Sequence, residues 1–254
     1  MGQSPADLAG TQARLAWLRS VLPEVARAGA KLLLLPELFA CGYNIGDAIT
    51  ERAESLDGPT AVAIAEMARD HAVAIAYGFA ERCEGEIYSA ALCITPDGAA
   101  LGHHRKLAIP PGFERDHLTA GRGCQLFEYR GLKIAILICY DAEFAETVRH
   151  VAGQGADLVL VPTALGAQWA WVAQTMIPTR AYENGIYLAY ANSAGTERGF
   201  AFLGQSVVAA PDGQEAARAG AESEILLADI HLERVTAAQA RLPYLQDRAL
   251  LTFT

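Results

Sequence analysis

Apolar residues along this chain fall into two alternating patterns: short continuous runs, and longer segments with helical spacing. Residues 7–28 carry leucine and valine at three- and four-residue intervals before Gly29, which predicts an amphipathic helix. A second helix, entered through a proline, is predicted over residues 58–72. The runs KLLLLPE and VAIAYGFAE follow these helices and are predicted to form buried strands. The alternation favours an α/β fold.

Two Pro-Asp-Gly turns divide further apolar runs and predict hairpins. The first separates YSAALCI from LGHHRKLAIP, and the second follows LGQSVVAA. Two more strands and the helix between them are predicted in the runs DLVLVPTA, IYLAYANSAG and WAWVAQTMIPTRAYENG. Because hairpins pair antiparallel strands, the sheets should be mixed. Eight or more strands with helices between them predict two sheets enclosed by helix layers.

Length and composition predict one folded domain over residues 1–254. Apolar residues make up 52% of the chain and charged residues 19%, which leaves little room for a disordered tail. The formal charge of −9 repels phosphate backbones and anionic lipid, so we expect no nucleic acid and no membrane partner. Residues 158–179 are uncharged, but prolines and polar residues interrupt them, so strand, loop and helix are expected there.

The five cysteines form no CxxC pair and show no cysteine or histidine spacing typical of metal ligands. We therefore expect free thiols in a reducing cytoplasm, without a disulfide framework or a metal site. The first ten residues contain no basic stretch followed by an apolar one, so no secretory signal is predicted.

Three reactive side chains stand where predicted strands end: Glu37, Lys106 and Cys139. Sites in α/β folds favour such strand ends. A thiol needs a base to remove its proton or a cation to stabilise the thiolate, and glutamate and lysine supply these two functions. The motifs GxSxG and GxxxxGK[ST] are absent, which disfavours a serine hydrolase and a nucleotide-binding module.

Each of these residues also has an ordinary structural interpretation. A cysteine at a strand end is usually a small buried hydrophobic residue, as Cys41, Cys83, Cys93 and Cys124 are predicted to be. Glu37 can cap a helix, and Lys106 can pair with an acid at the surface. The residues alone leave both interpretations open.

Three segments in order resemble the motif regions of the nitrilase superfamily of carbon-nitrogen hydrolases: LLLLPELFACGYN, HHRKLAIPPGFERDHLTAG and ILICYDAEF. Later segments also resemble that family in sequence order, in the runs DLVLVPTA, RAYENGIYLAYANSAG and RLPYLQDR. The resemblance therefore extends over most of the chain.

This resemblance implies a four-layer αββα sandwich with two mixed sheets. It also implies a Glu-Lys-Cys triad, which maps onto Glu37, Lys106 and Cys139. Glu114 matches a second glutamate that borders the pocket in amidase members, so we expect it to orient the amide and hold Lys106, although alone it could be a solvated loop charge. No cofactor or metal is expected.

Within the superfamily, CYDAEF looks closer to amidases of small acyl amides than to nitrilases, which usually carry a Trp-Glu pair after the cysteine. The implied activity is hydrolysis of an amide to acid and ammonia through a cysteine thioester. Nitrile, N-carbamoyl or omega-amide hydrolysis on the same triad remains an alternative, as does a non-catalytic assembly scaffold. The resemblance further implies a homodimer or larger homo-oligomer.

Aromatic residues near the motifs are candidate pocket walls: Tyr140, Tyr43, Phe144, Trp169 and Trp171. Tyr140 is the first choice because it follows the cysteine assigned as nucleophile. Trp169 is the next because it lies just past VPTALGA, a run that resembles the family segment bordering the substrate pocket.

Acidic residues after the nucleophile should favour the next helix, with Asp141 as its N-cap. Two departures from the family pattern stand out. MGQSPADLAG supplies almost none of the usual first apolar strand, and Ala145 replaces a common proline.

Overall fold

The computed structural model describes residues 1–252, and its strands form two large sheets and two short ribbons. The strands are β1 (Gly2–Gln3), β2 (Leu32–Leu34), β3 (Ala74–Cys83), β4 (Glu86–Ile94), β5 (Ala100–Arg105), β6 (Leu126–Tyr129), β7 (Leu132–Ile136), β8 (Leu158–Pro162), β9 (Tyr187–Ala191), β10 (Thr196–Glu197), β11 (Phe200–Ala201), β12 (Val207–Ala209), β13 (Glu215–Arg218) and β14 (Glu224–Ile225). The α-helices are α1 (Gly10–Arg27), α2 (Ala48–Arg52), α3 (Pro59–His71), α4 (Phe113–His117), α5 (Ala145–Gly153), α6 (Ile177–Asn184), α7 (Leu232–Arg241) and α8 (Tyr244–Asp247). Shorter helical turns are the 3-10 segments Cys139–Glu143, Ala167–Trp169 and Arg248–Leu250 and the π turn Val172–Met176.

Both large sheets are mixed, as the two Pro-Asp-Gly turns predict. One has the order β13-β12-β9-β8-β7-β6, in which β7, β8 and β9 run parallel and the remaining pairs are antiparallel. The other has the order β2-β3-β4-β5, with only β2 and β3 parallel. The hairpins β4-β5 and β12-β13 enclose the two predicted turns, so that prediction is confirmed.

Side chains alternate between two apolar layers along each inner strand, as the period of a strand requires. On β2, Leu33 packs with helices α1 and α3, whereas Leu34 packs between the two sheets. On β7, Ala135 packs with α5 and α6, whereas Ile134 and Ile136 face the other sheet. The resulting layers confirm the predicted αββα sandwich.

The uncharged segment 158–179 forms strand β8, a loop, a short 3-10 turn, a π turn and the start of α6. The proline in the first turn of α6 fits there because its missing N–H has no partner to lose at a helix start. Within residues 1–252, no helix has the length and apolar character needed to cross a membrane.

The N-terminal segment is held mainly by polar contacts. Strand β1 has two residues and pairs with β14 outside both large sheets. The buried Gln3 side chain donates to the Gly220 carbonyl at 3.0 Å and accepts from the Ser206 hydroxyl at 2.7 Å. MGQSPADLAG, which supplies almost none of the usual first apolar strand, thus forms only the two-residue strand β1, and the buried Gln3 amide secures it.

Candidate active site

The three reactive residues follow strands that end at one edge of the sandwich. Glu37 follows β2, Lys106 directly follows β5, and Cys139 begins the 3-10 turn after β7. The loop after β2 lies so close to β3 that a Cβ at Gly78 would be 2.5 Å from the Leu38 backbone nitrogen. Glycine on β3 therefore allows the loop to place Glu37 beside the end of β5.

Lys106 lies between two carboxylates in the protein interior. Its Nζ donates to Glu37 Oε1 at 2.8 Å and to Glu114 Oε2 at 2.5 Å, and all three side chains are at most 1% exposed. Burial lowers the pKa of the Lys106 ammonium, but Glu37 and Glu114 raise it by more, so the pKa lies above its ordinary value. Lys106 therefore stays charged at neutral pH.

Glu37 is a carboxylate with one oxygen occupied and one free. Oε1 accepts from Lys106 and from the Ser89 hydroxyl at 3.1 Å, while the buried Oε2 has no hydrogen-bond partner within residues 1–252. Burial is the main cause that raises the pKa of Glu37 to about 7. The Lys106 ammonium opposes this rise, and the Glu114 carboxylate adds to it. A carboxyl group near that pKa can both accept and return a proton at neutral pH.

Cys139 is buried and occupies a strained backbone conformation. The residue is only 6% exposed, and its φ of 45° lies in the left-handed region that non-glycine residues rarely adopt. Burial raises the pKa of the Cys139 thiol, Glu37 raises it further, and Lys106 opposes both. The resting thiol is therefore protonated and needs a base before it can attack.

Glu114 links the cluster to an aromatic wall. It is the second residue of α4, and its Oε1 accepts a hydrogen bond from the Tyr43 hydroxyl at 2.8 Å. The Tyr43 ring contacts Phe113, Phe200 and Phe202 at centroid distances of 5.7, 5.7 and 6.1 Å. The predicted contact between Glu114 and Lys106 is present, and Tyr43 lies next to Glu114.

Glu197 on β10 holds the Tyr43 loop, and the sequence pattern does not predict this. Its Oε2 accepts from the backbone N–H groups of Tyr43 and Asn44 at 2.9 and 2.6 Å. Arg14 donates to its Oε1 at 2.7 Å, which neutralises a nearly buried charge. These partners lie about 150 or more residues away in the chain, so no local motif marks the contact.

The other aromatic candidates lie farther toward the surface. The Tyr140 and Phe144 rings are 4.9 Å apart, and Phe144 is 39% exposed. Trp169 is 58% exposed on its 3-10 turn, and Trp171 is 70% exposed. The structure therefore brings Tyr43 to the ionic cluster, while contact of Tyr140, Phe144 and Trp169 with a substrate stays a prediction.

The predicted N-cap role of Asp141 is wrong. Helix α5 begins after Phe144, and Asp141 lies inside the preceding 3-10 turn. Its carboxylate is fully buried and accepts hydrogen bonds from Leu107, Ala108 and other groups instead. Tertiary donors compete better for this carboxylate than the exposed start of a helix does, because leaving buried N–H groups unpaired is costly.

No group of three or more His, Cys, Asp and Glu side chains with the geometry of a metal site occurs in residues 1–252.

The chain also matches a known protein family over most of its length. Residues 2–240 match the model of a family described as carbon-nitrogen hydrolase. A Pseudomonas protegens protein described as a hydrolase in the pqqF 5′ region is 40% identical over 96% of this chain and 85% of its own. An (R)-stereoselective amidase from a Pseudomonas species is 33% identical over 87% of this chain and 80% of its own.

A similar solved structure is that of an amidase variant from Nesterenkonia sp. AN1. It is 32% identical, covers 98% of this chain and 92% of its own, and has a TM-score of 0.88. That structure shows covalent addition of the acetamide moiety of fluoroacetamide at the active-site cysteine.

Proposed function

Since this chain belongs to the carbon-nitrogen hydrolase family, we propose that it hydrolyses small carboxylic acid amides to the acid and ammonia through a thioester on Cys139. The observation that carries this proposal is the free Oε2 of Glu37, buried next to an ammonium and within electrostatic range of the Cys139 thiol. A buried oxygen without a partner costs stability, and a role in proton acceptance explains why such a cost is tolerated. The acetamide adduct on the cysteine of the Nesterenkonia amidase and the amidase description of the Pseudomonas relative support the same chemistry.

In the first half of the reaction, the Glu37 carboxylate accepts the Cys139 proton as the sulfur attacks the amide carbonyl carbon. The carbonyl oxygen gains negative charge in the tetrahedral intermediate. The Lys106 ammonium and the Tyr140 backbone N–H are the donors assigned to it. Protonated Glu37 then gives its proton to the departing nitrogen, so that ammonia leaves and a thioester remains on Cys139.

In the second half, Glu37 removes a proton from water as the water oxygen attacks the thioester carbonyl. Collapse of that intermediate breaks the carbon-sulfur bond, and the proton held by Glu37 returns to the Cys139 sulfur. The sum is one amide and one water converted to one carboxylic acid and one ammonia. A pKa of about 7 suits Glu37 to both proton transfers.

Glu114 is assigned a positioning role and a binding role. Its Oε2 holds the Lys106 ammonium, and its Oε1 accepts from the Tyr43 hydroxyl. A carboxylate in this place can also accept a hydrogen bond from the amide nitrogen of the substrate. Tyr43 is the aromatic residue that we assign to the pocket on this geometry.

The balance of charge favours neutral substrates. Glu37 and Glu114 share the Lys106 ammonium, and half-buried Glu143 lies within its electrostatic range. Burial raises the pKa of Glu143, while Lys106 and Arg180 oppose this. An omega-amide that carries its own carboxylate would add a further negative charge, so we propose neutral acyl groups as the preferred class.

The decisive experiment measures ammonia release from a panel of small amides by the parent and by Cys139→Ala. Butyramide and the monoamide of succinate are a matched pair, and we expect kcat/KM to be about tenfold higher for butyramide. Added hydroxylamine should trap the acyl group as a hydroxamate. Absence of Cys139-dependent release across the panel would support the scaffold alternative, and faster hydrolysis of butyronitrile than of butyramide would support a nitrilase.

We also propose that the chain forms a homo-oligomer through the face near α6 and α8. Tyr182 and Tyr244 are 37% and 40% exposed there, with rings 6.2 Å apart. Exposed aromatic pairs of this kind are enriched at protein interfaces. Light scattering on the purified protein, compared with the double variant Tyr182→Glu and Tyr244→Glu, tests this, and a monomeric parent would refute it.

A further inference from the structure

Asp141 is a fully buried carboxylate that the proposed reaction does not use. Its Oδ1 accepts from the backbone N–H groups of Leu107 and Ala108 at 3.0 and 2.8 Å. Its Oδ2 accepts from the backbone N–H of Ile138 at 3.1 Å and pairs with His104 Nε2 at 3.0 Å. Four partners use the full acceptor capacity of one carboxylate.

The two oxygens serve two different catalytic segments. Leu107 and Ala108 immediately follow Lys106, and Ile138 immediately precedes Cys139. Lys106 extends from the four-stranded sheet, whereas Cys139 extends from the six-stranded sheet. One carboxylate therefore joins the ends of two strands that belong to opposite layers of the sandwich.

The same carboxylate holds the unusual backbone at the nucleophile. The Asp141 backbone N–H donates to the Ile138 carbonyl at 2.9 Å, while the Ile138 N–H donates to the Asp141 side chain. These two bonds close a tight loop around Cys139, whose φ is 45°. A strained conformation of this kind persists only when surrounding contacts determine it from several sides.

His104 extends the link into strand β5. It lies two residues before Lys106, so the two side chains point to the same face of the strand. Its side chain is 3% exposed, and Asp141 Oδ2 is its acceptor when Nε2 carries the proton. The histidine thus attaches the carboxylate to the strand itself as well as to the loop that follows.

We propose that Asp141 is a positioning residue that sets the separation between the Lys106 ammonium and the Cys139 sulfur. It accepts backbone hydrogen bonds from both segments and takes no proton from the substrate or the thiol. The inference rests on the proposed roles of Lys106 and Cys139 in amide hydrolysis. Errors of about 1 Å in the placement of reacting groups reduce rates by about 100-fold, so such a link matters for turnover.

Asp141→Asn in the full chain is the primary test. The amide group keeps the shape of the carboxylate, but its NH₂ must face either Leu107 and Ala108 or Ile138, which are themselves donors. We expect kcat for butyramide to fall by about 100-fold while KM changes by less than about threefold. Alkylation of Cys139 by iodoacetamide, followed by mass spectrometry, should slow as well, because Lys106 no longer stabilises the thiolate equally.

Asp157→Asn is the matched control. Asp157 also accepts a backbone hydrogen bond on β7, from Lys133 at 2.8 Å, but at the opposite end of the strand from Cys139. We expect its kcat and its Cys139 alkylation rate to stay within about threefold of the parent even if its melting temperature falls. This pair of variants separates positioning at the site from general stabilisation of the strand.

The proposal is overturned if Asp141→Asn is folded and both its kcat and its alkylation rate match the parent. Should Asp141→Asn fail to fold, His104→Leu decides, because leucine removes the His104 partner of Oδ2 and loosens the carboxylate that both segments share, while every side chain assigned to the reaction is kept. A lower kcat with an unchanged KM supports positioning, and an unchanged kcat overturns it. If the parent hydrolyses no amide, the proposed function fails, whereas the alkylation rates still test the placement of Cys139.

Discussion

Strand β5 and the residue that follows it contribute to an ionic cluster on each face of the strand. The pKa of the carboxylate is lowered in one cluster and raised in the other. His103 and Arg105 point to one face, where both bind Glu81, while Lys106 points to the other face and binds Glu37 and Glu114. The alternation of side chains along a strand separates them. The comparison shows how similar groups produce either a stabilising contact or a reactive one.

On the first face, two side chains bind one carboxylate. Arg105 donates to Glu81 through Nε and Nη2 at 2.9 and 2.6 Å, and His103 Nε2 lies 2.7 Å away. Burial raises the pKa of Glu81, but the hydrogen bonds from Arg105 and His103 outweigh it and lower the pKa to about 2. The Glu81 side chain is only 2% exposed, but Arg105 and His103 keep about 30% of their side-chain surface in water, so the carboxylate is satisfied by partners that stay partly solvated.

On the second face, one ammonium serves two carboxylates, and all three side chains are at most 1% exposed. The pKa of Glu37 therefore rises to about 7, and one of its oxygens has no partner within residues 1–252. The difference between the faces lies in the number of cations for each carboxylate and in burial. The face with too little positive charge is the one that can accept a proton.

Removing the cation on each face should give the largest contrast. Lys106→Met leaves Glu37 and Glu114 buried without a counter-ion, so we expect a loss of about 3 to 5 kcal/mol of unfolding free energy and hydrolysis at least about 100-fold slower. Arg105→Met leaves Glu81 with His103 and water, so we expect a loss of about 1 to 2 kcal/mol and nearly normal hydrolysis. Urea unfolding measures the loss of stability in each variant, and ammonia release measures hydrolysis. Equal losses of unfolding free energy in the two variants would contradict the proposed difference between the two faces.

Neutralising the carboxylate on each face should change stability in opposite directions. Glu37→Gln removes a charge that the site only partly compensates, so we expect the unfolding free energy at neutral pH to rise by about 1 to 2 kcal/mol while hydrolysis is lost. Glu81→Gln removes the acceptor of Arg105 and His103, so we expect a fall of about 1 to 2 kcal/mol with hydrolysis retained. Thermal unfolding at one pH checks the signs, and two shifts of the same sign would contradict the interpretation.

The two carboxylates should also respond to pH in different ranges. The raised pKa of Glu37 gives stability that is present below its ordinary value of 4.5 and lost as pH rises through about 7. The lowered pKa of Glu81 gives stability that is present above 4.5 and lost as pH falls through about 2. Melting temperatures of the parent and the two Gln variants across a pH series should differ in these two ranges.

Activity adds a third signature in that series. In its proposed role as the base, Glu37 must be ionised, so we expect kcat/KM to rise as pH increases through about 7. A kcat/KM that is flat across that range would argue against Glu37 as the base.

The smallest expected effect lies within the reactive face. Tyr43→Phe removes the hydroxyl that donates to Glu114 Oε1 and leaves the ring in its aromatic contacts. We expect a loss of about 1 kcal/mol in stability and a fall of about threefold to tenfold in kcat/KM. Phe113→Leu is a control that alters the ring contact without touching the hydrogen bond, and a larger loss there would assign the role of Tyr43 to packing.

Local sequence patterns predict most of the scaffold and the reactive set. The alternation of apolar residues fixes which face of β2 and β7 is internal, and the two Pro-Asp-Gly turns mark hairpins that the structure contains. Glu37, Lys106 and Glu114 meet as the motif order suggests. The strands and hairpins follow from short sequence segments, whereas the meeting of Glu37 and Lys106, which are 69 residues apart, is implied by the family resemblance.

Contacts between distant segments could not be predicted in this way. Asp141 looks like a helix cap in the sequence because its partners on the segment after Lys106 lie more than thirty residues away. Glu197 gives no signal at all, although it holds the Tyr43 loop. In both cases a buried carboxylate finds backbone donors that only the assembled layers bring together.

The single shared ammonium also bears on how a catalytic cycle ends. In the proposed reaction, hydrolysis of the thioester yields an acid that ionises at neutral pH, which places a further anion beside Glu37 and Glu114 while Lys106 is already bound by both. We expect the resulting repulsion to favour release of the product from the site and to disfavour its return. We expect added carboxylate product to inhibit weakly, so that progress curves stay nearly linear until substrate is scarce.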